Sequence, residues 1–146
     1  MKSRTAIFYT IRFNLQRKVP SKGKMSWLLY PKKPTEEYRQ ALKELGRDDP
    51  TDDDSLSFST SSFGLLSEFF GNNGIIFTGY EGAHGALVAN LSEELCQQMA
   101  DFLEKNGPFT AEQLPLKWRA NAASTSASLM KYIPIWRYSG GIHGGN

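Results

Sequence analysis

The chain is poor in the residues that most often carry chemistry. It holds one cysteine, Cys96, and two histidines, His84 and His143. A single thiol excludes an intrachain disulfide, and Cys96, beside Leu95 and Met99 on a helical pattern, reads as a buried structural thiol in a reducing compartment. So few zinc-type ligands, so widely separated, argue against a structural or catalytic metal centre. Walker and dinucleotide glycine motifs are missing, and no cofactor is expected. No run approaches the roughly 18 apolar residues of a membrane span. The opening MKSRTAIFYTIRFN alternates where a signal peptide would carry a continuous apolar centre, which points to a cytoplasmic protein.

Acid is missing from both ends. Residues 1–33 hold nine bases and no Asp or Glu, residues 34–114 hold all fifteen acids against four bases, and residues 115–146 hold Lys117, Arg119, Lys131 and Arg137 with no acid. The net charge of +2 hides this segregation. It suits termini that meet a polyanion, or two halves of one fold that attract each other. With 40% apolar and 22% charged residues, the 146-residue chain falls among ordinary globular proteins. That length favours one domain, or two small parts sharing a core, and burial of roughly 70% of the extended surface.

Local patterns predict an α+β protein whose residues 1–90 are antiparallel and β-rich with short helices, and whose residues 91–146 are helical. TAIFYTIRFNL alternates and KMSWLLYP supplies a second strand, so a hairpin is expected across RKVPSKG. PTEEYRQALKELG reads as a helix capped by Thr35, with Glu36 and Glu37 at its positive end and Gly46 at its stop. The five aspartates of 48–54 lack the spacing, central glycine and closing Glu of an EF-hand, and read as a solvated loop. Leu56 and Phe58 alternate as in a strand, then Phe63, Leu65, Leu66, Phe69 and Phe70 suit a short helix ending near Asn72-Asn73-Gly74. That cluster reads as core, with a homodimer interface as the alternative. GIIFTGY and GALVANL are β segments around EGAHG, where His84 lies three residues from Glu81 and reads as a turn residue or, alternatively, a general base.

The last third changes character. LSEELCQQMADFLEKNG is the clearest helix, with Ser92 as cap and Leu95, Met99, Phe102 and Leu103 at helical spacing. Thr110 and Gln113 have the form of a capping box opening a second helix, and Ser124 caps a third over 124–133 that Pro134 ends. Leu129, Met130 and Ile133 would face the core. Ser124, Ser128 and Lys131 lie on the opposite side, flanked by Thr125 and Tyr132. Small hydroxyls allow close approach to a major-groove floor and can bond phosphates or base edges.

FLEKNGPFTAEQL, STSASLMKYI and IWRYSGG together resemble the winged helix-turn-helix superfamily over about 50 residues. The resemblance implies a C-terminal three-helix unit, a recognition helix presenting Ser124, Thr125, Ser128 and Lys131, and a β wing carrying Arg137 and Tyr138. Lys117 and Arg119 would widen the basic footprint. The function implied is non-catalytic, regulatory binding of duplex DNA, with dimerisation as a means of doubling the contacts. Two other readings stand beside it. A small inhibitor or immunity-type protein could steer its acidic run onto a basic partner. Arg12 and the FSTSS of 58–62 resemble elements of ADP-ribosyltransferases, but no Glu/Gln-x-Glu triplet follows Ser61, and Glu112 is the nearest candidate acid.

Overall fold

A computed structural model describes residues 26–46, 54–77, 79–81 and 87–145. The expected N-terminal strand with Arg12, the connection after it, His84, and the acidic loop apart from Asp54 lie outside the described residues. What is described is an α+β protein.

β1, Ser26–Pro31, buries Trp27 and Leu29 and turns Leu28 outward, the alternation of a half-buried strand. α1, Glu36–Glu44, starts where Thr35 Oγ1 accepts from the Tyr38 N–H at 3.2 Å and ends before Gly46, whose φ of +79° is the left-handed turn glycine favours. Its buried Tyr38 donates its hydroxyl to the Asp54 carbonyl at 2.8 Å, and Arg39 pairs with the Asp54 carboxylate at 3.1 Å. The last aspartate of the acidic run is therefore an anchor for α1.

β2, Leu56–Ser59, runs directly into α2, Thr60–Asn72, because the Ser59 hydroxyl accepts from the Ser62 N–H at 3.0 Å and caps the helix. That role gives the serine run around 59–62 an ordinary structural explanation. Phe63, Leu66, Phe69 and Phe70 of α2 are all buried, so the cluster weighed as a dimer interface is core instead. Residues 75–77, expected as strand, are not in one; the Ile75 N–H instead donates back to the Phe70 carbonyl at 2.9 Å. Among the described residues β3 is Gly79–Glu81 and β4 is Leu87–Leu91.

α3, Glu93–Asn106, is capped by Ser92, as its sequence predicts, and buries Cys96, Met99, Ala100 and Leu103. The second helix expected after Thr110 shrinks to one 3-10 turn, Ala111–Gln113, although the Thr110–Gln113 capping box forms. Pro115 explains the difference: it forces Leu114 before it into an extended conformation, φ −107° and ψ 153°. A 3-10 helix, Leu116–Asn121, follows and leads into α4, Ala122–Lys131. α4 thus begins two residues before Ser124, whose hydroxyl donates to the Asn121 carbonyl at 3.2 Å and does not cap. Pro134 does not simply end the helical region. It sits in the first turn of α5, Ile133–Arg137, where a missing N–H costs nothing.

The expected β wing is replaced by this α5, because Ile135 and Trp136 are both buried against the helical layer and helical spacing serves that burial. The strand that follows, β5, Ile142–Gly145, enters the middle of the sheet. The order is β2-β1-β5-β4-β3, all neighbours antiparallel, so the last described strand lies between the first, β1, and β4. Ser139 shapes the approach: its buried hydroxyl donates to the Trp136 carbonyl at 3.0 Å and accepts from the Gly141 N–H at 3.1 Å. At Gly144 any Cβ would lie 2.1 Å from the Leu28 carbonyl oxygen, so only glycine fits there.

Register sets Trp27, Leu29, Leu56, Ala89, Leu91 and Ile142 on one face, where they join the apolar sides of the helices in a single core. Phe58 ties sheet to helices through Trp136 (6.4 Å between ring centroids, near-parallel) and Tyr132 (5.6 Å). Such pairs add about 0.5–1.5 kcal/mol each beyond their area burial.

Candidate nucleic-acid interface

α4 is helical across the region singled out in the sequence, and its outward side is uncovered. Ala123, Ser124, Ala127, Ser128 and Lys131 are exposed, while Ser126 and Leu129 are buried and Thr125, Met130 and Tyr132 are intermediate. The exposed set recurs every three to four residues, so it forms one stripe of methyls, hydroxyls and a terminal ammonium. The stripe contains no carboxylate. Ser124, Ser128 and Lys131 therefore share a face, with Thr125 at its margin.

The serines of α4 divide by one helical position. Ser126 is only 2% exposed, and its Oγ accepts the Phe109 N–H at 2.7 Å, locking the segment after α3 onto α4. Sequence reasoning treated the run as a hydroxyl surface and passed over this residue. The signal was present, since Ser126 falls on the Leu129–Ile133 side by helical periodicity.

The basic residues fare differently from one another. Lys117 and Lys131 are exposed and without an ion-pair partner among the described residues. Arg119, on the same 3-10 helix as Lys117, donates Nε to the Leu114 carbonyl at 3.0 Å, which leaves the outer edge of its guanidinium for other contacts. Arg137 is not a wing residue. Its guanidinium meets Asp101 at 2.9 Å and Glu104 at 2.7 Å, and Gln97 donates to its carbonyl at 2.6 Å. Gln97, Asp101 and Glu104 recur along one side of α3, so Arg137 is a clamp between α3 and α5 and its charge is already matched. Tyr138 lies just beyond α5 and is 37% exposed.

Glu112 sits exposed near Arg119; its own backbone N–H and the Thr110 hydroxyl hold its carboxyl below the usual range, with Arg119 adding to the effect. Between α2 and the two 3-10 segments lies a cleft of about 400 Å³ lined by Phe69, Phe102, Leu114, Arg119, Glu68 and Glu112. Leu116, 75% exposed, stands on its rim. Cys96 is fully buried, and burial pushes its thiol up to about 11, which makes it a poor nucleophile. Among the described residues no cluster of His, Cys, Asp and Glu is arranged to hold a metal ion, and no helix is long and apolar enough to cross a membrane. Comparison with protein-family models, curated proteins and solved structures returns no match for this chain.

Proposed function

We propose that the chain is a non-catalytic nucleic-acid-binding protein, a cytoplasmic regulator that engages duplex DNA through α4 in the manner of a helix-turn-helix recognition helix. The observation that carries this reading is the uncovered stripe Ala123, Ser124, Ala127, Ser128 and Lys131. A helix whose outer side bears only methyls and hydroxyls can bring its backbone close to a groove floor, and Lys131 with Lys117 and Arg119 supplies phosphate contacts at its edges. Arg137 takes no part, because its charge is spent on Asp101 and Glu104.

The charge count sets the behaviour to measure. Three available cations correspond to a slope of about −3 in log affinity against log salt concentration. Titration of a duplex at two salt concentrations should therefore show binding that weakens steeply with salt. Absence of duplex binding at low salt would refute the reading. A second reading has its own support: the exposed Leu116 on the rim of a cleft lined by both aromatic and charged side chains suits a protein partner, as an inhibitor would require. It predicts negligible duplex affinity and a stable complex that Leu116→Asp disrupts.

A further inference from the structure

Because the described helices share one core with Trp27, Leu29, Leu56, Ala89, Leu91 and Ile142, strand alternation turns a second set of side chains away from that core. Register places Tyr30 of β1, His143 of β5 and Asn90 of β4 in one row across the sheet. Leu28, Gly145 and Val88 form the next row. The Tyr30 and His143 rings lie 6.0 Å apart between centroids, tilted by 33°, as neighbours across the strand pair. Lys32, just past the end of β1, donates its ammonium to Asn90 Oδ1 and so closes the row with a cation. His143 and Asn90 are exposed, and Leu28 is 42% exposed.

A solvated sheet face is common in antiparallel sheets, but this one has an unusual make-up. It juxtaposes two rings, an ammonium and a side-chain amide, and none of these groups is acidic. We infer that this face binds single-stranded nucleic acid, with bases stacked on Tyr30 and His143 and a phosphate held by Lys32. Bases present their faces only when unpaired, and aromatic side chains beside a cation are what such bases stack on. Lys32 uses one of its three protons on Asn90, and Asn90 keeps both amide protons for a base edge. Gly145 adds no side chain beside His143, so the central strand leaves room for a base to lie flat. Charge complementarity points the same way, since residues 1–33, which include Lys32 and Lys33, carry nine bases and no acid.

This surface belongs to the sheet and the α4 stripe to the helical layer, so the two are separable by mutation. The test is fluorescence anisotropy of the full chain with labelled oligo-dT and oligo-rU of about 12 nucleotides, a length within the span of single-strand platforms. The unaltered protein should bind at low salt. His143→Ala and Tyr30→Ala should each weaken binding by roughly 5- to 100-fold, Tyr30→Phe should retain it, and Lys131→Glu should leave it unchanged. Because Tyr30 is partly buried, the exposed His143 variant decides the matter if Tyr30→Ala fails to fold. No oligonucleotide binding by the unaltered protein, or native affinity in the His143→Ala variant, overturns the inference. Self-association abolished by Leu28→Glu, without oligonucleotide binding, would assign the face to a second copy of the chain and overturn it equally.

Discussion

Replacing Ser126 by alanine separates the structural hydroxyl of α4 from those on its surface. The Ser126 Oγ accepts from the Phe109 N–H at 2.7 Å, and both residues are buried. Alanine removes the acceptor and admits no water, so the Phe109 N–H loses its partner at a cost of about 1–3 kcal/mol. Alanine also favours the helix over serine by a few tenths of a kcal/mol, which offsets a little of that loss. The net expectation is a destabilisation of about 1–2.5 kcal/mol, read as the change in unfolding free energy from urea titration followed by tryptophan fluorescence. Ser124→Ala and Ser128→Ala, on exposed positions of the same helix, should stay within about 0.5 kcal/mol of the parent. The affinities should follow the opposite order, with duplex binding weakened in the two exposed variants and kept in folded Ser126→Ala. Equal stability effects at all three positions would show that α4 does not present the face assigned to it.

Lys131→Glu should abolish duplex binding while the thermal unfolding midpoint stays near that of the parent, since the side chain is exposed and without an ion-pair partner among the described residues; unchanged affinity would remove α4 from the interface. Arg137→Ala should do the reverse. Its two carboxylate partners are largely exposed, so each ion pair contributes at most about 1 kcal/mol, and with the lost packing of a mostly buried stem the expected destabilisation is about 1–2 kcal/mol at unchanged duplex affinity. A drop in affinity without a drop in stability would return Arg137 to the binding surface. Burial raises the Cys96 thiol from 9.0 to about 11, so folding keeps a proton that the unfolded chain gives up first. The stabilisation is complete below about pH 9 and is lost as pH rises towards 11, by up to about 3 kcal/mol, and denaturant titrations of Cys96→Ala should lack this component of the alkaline decline. Identical pH dependence in parent and variant would refute it.

Much of the fold was legible because its signals are local. Thr35 and Ser92 lie three residues from the amides they cap, so the starts of α1 and α3 are written in short stretches of chain. Alternation at Leu56 and Phe58 followed by the apolar cluster from Phe63 to Phe70 marks a strand leading into a helix, and the apolar spacing of α3 matches its buried side. Local rules misjudged the segment after Thr110, where a capping signal and Pro115 compete and the proline wins. They also misjudged 133–137, where a helix replaces an expected strand.

What the sequence alone determined is β1, α1, β2, α2, β4 and α3, the caps at Thr35 and Ser92, and the exposed side of α4, all of which follow from neighbours a few residues apart, together with the uneven placement of charge. The tertiary structure decided the rest. It placed β5 between β1 and β4, gave Arg137 to acids 33 and 36 residues away, turned Ser126 towards Phe109 at a separation of 17, and set Tyr30 beside His143. Pairings of that range depend on which apolar faces can be buried together, and no short window of sequence contains that information.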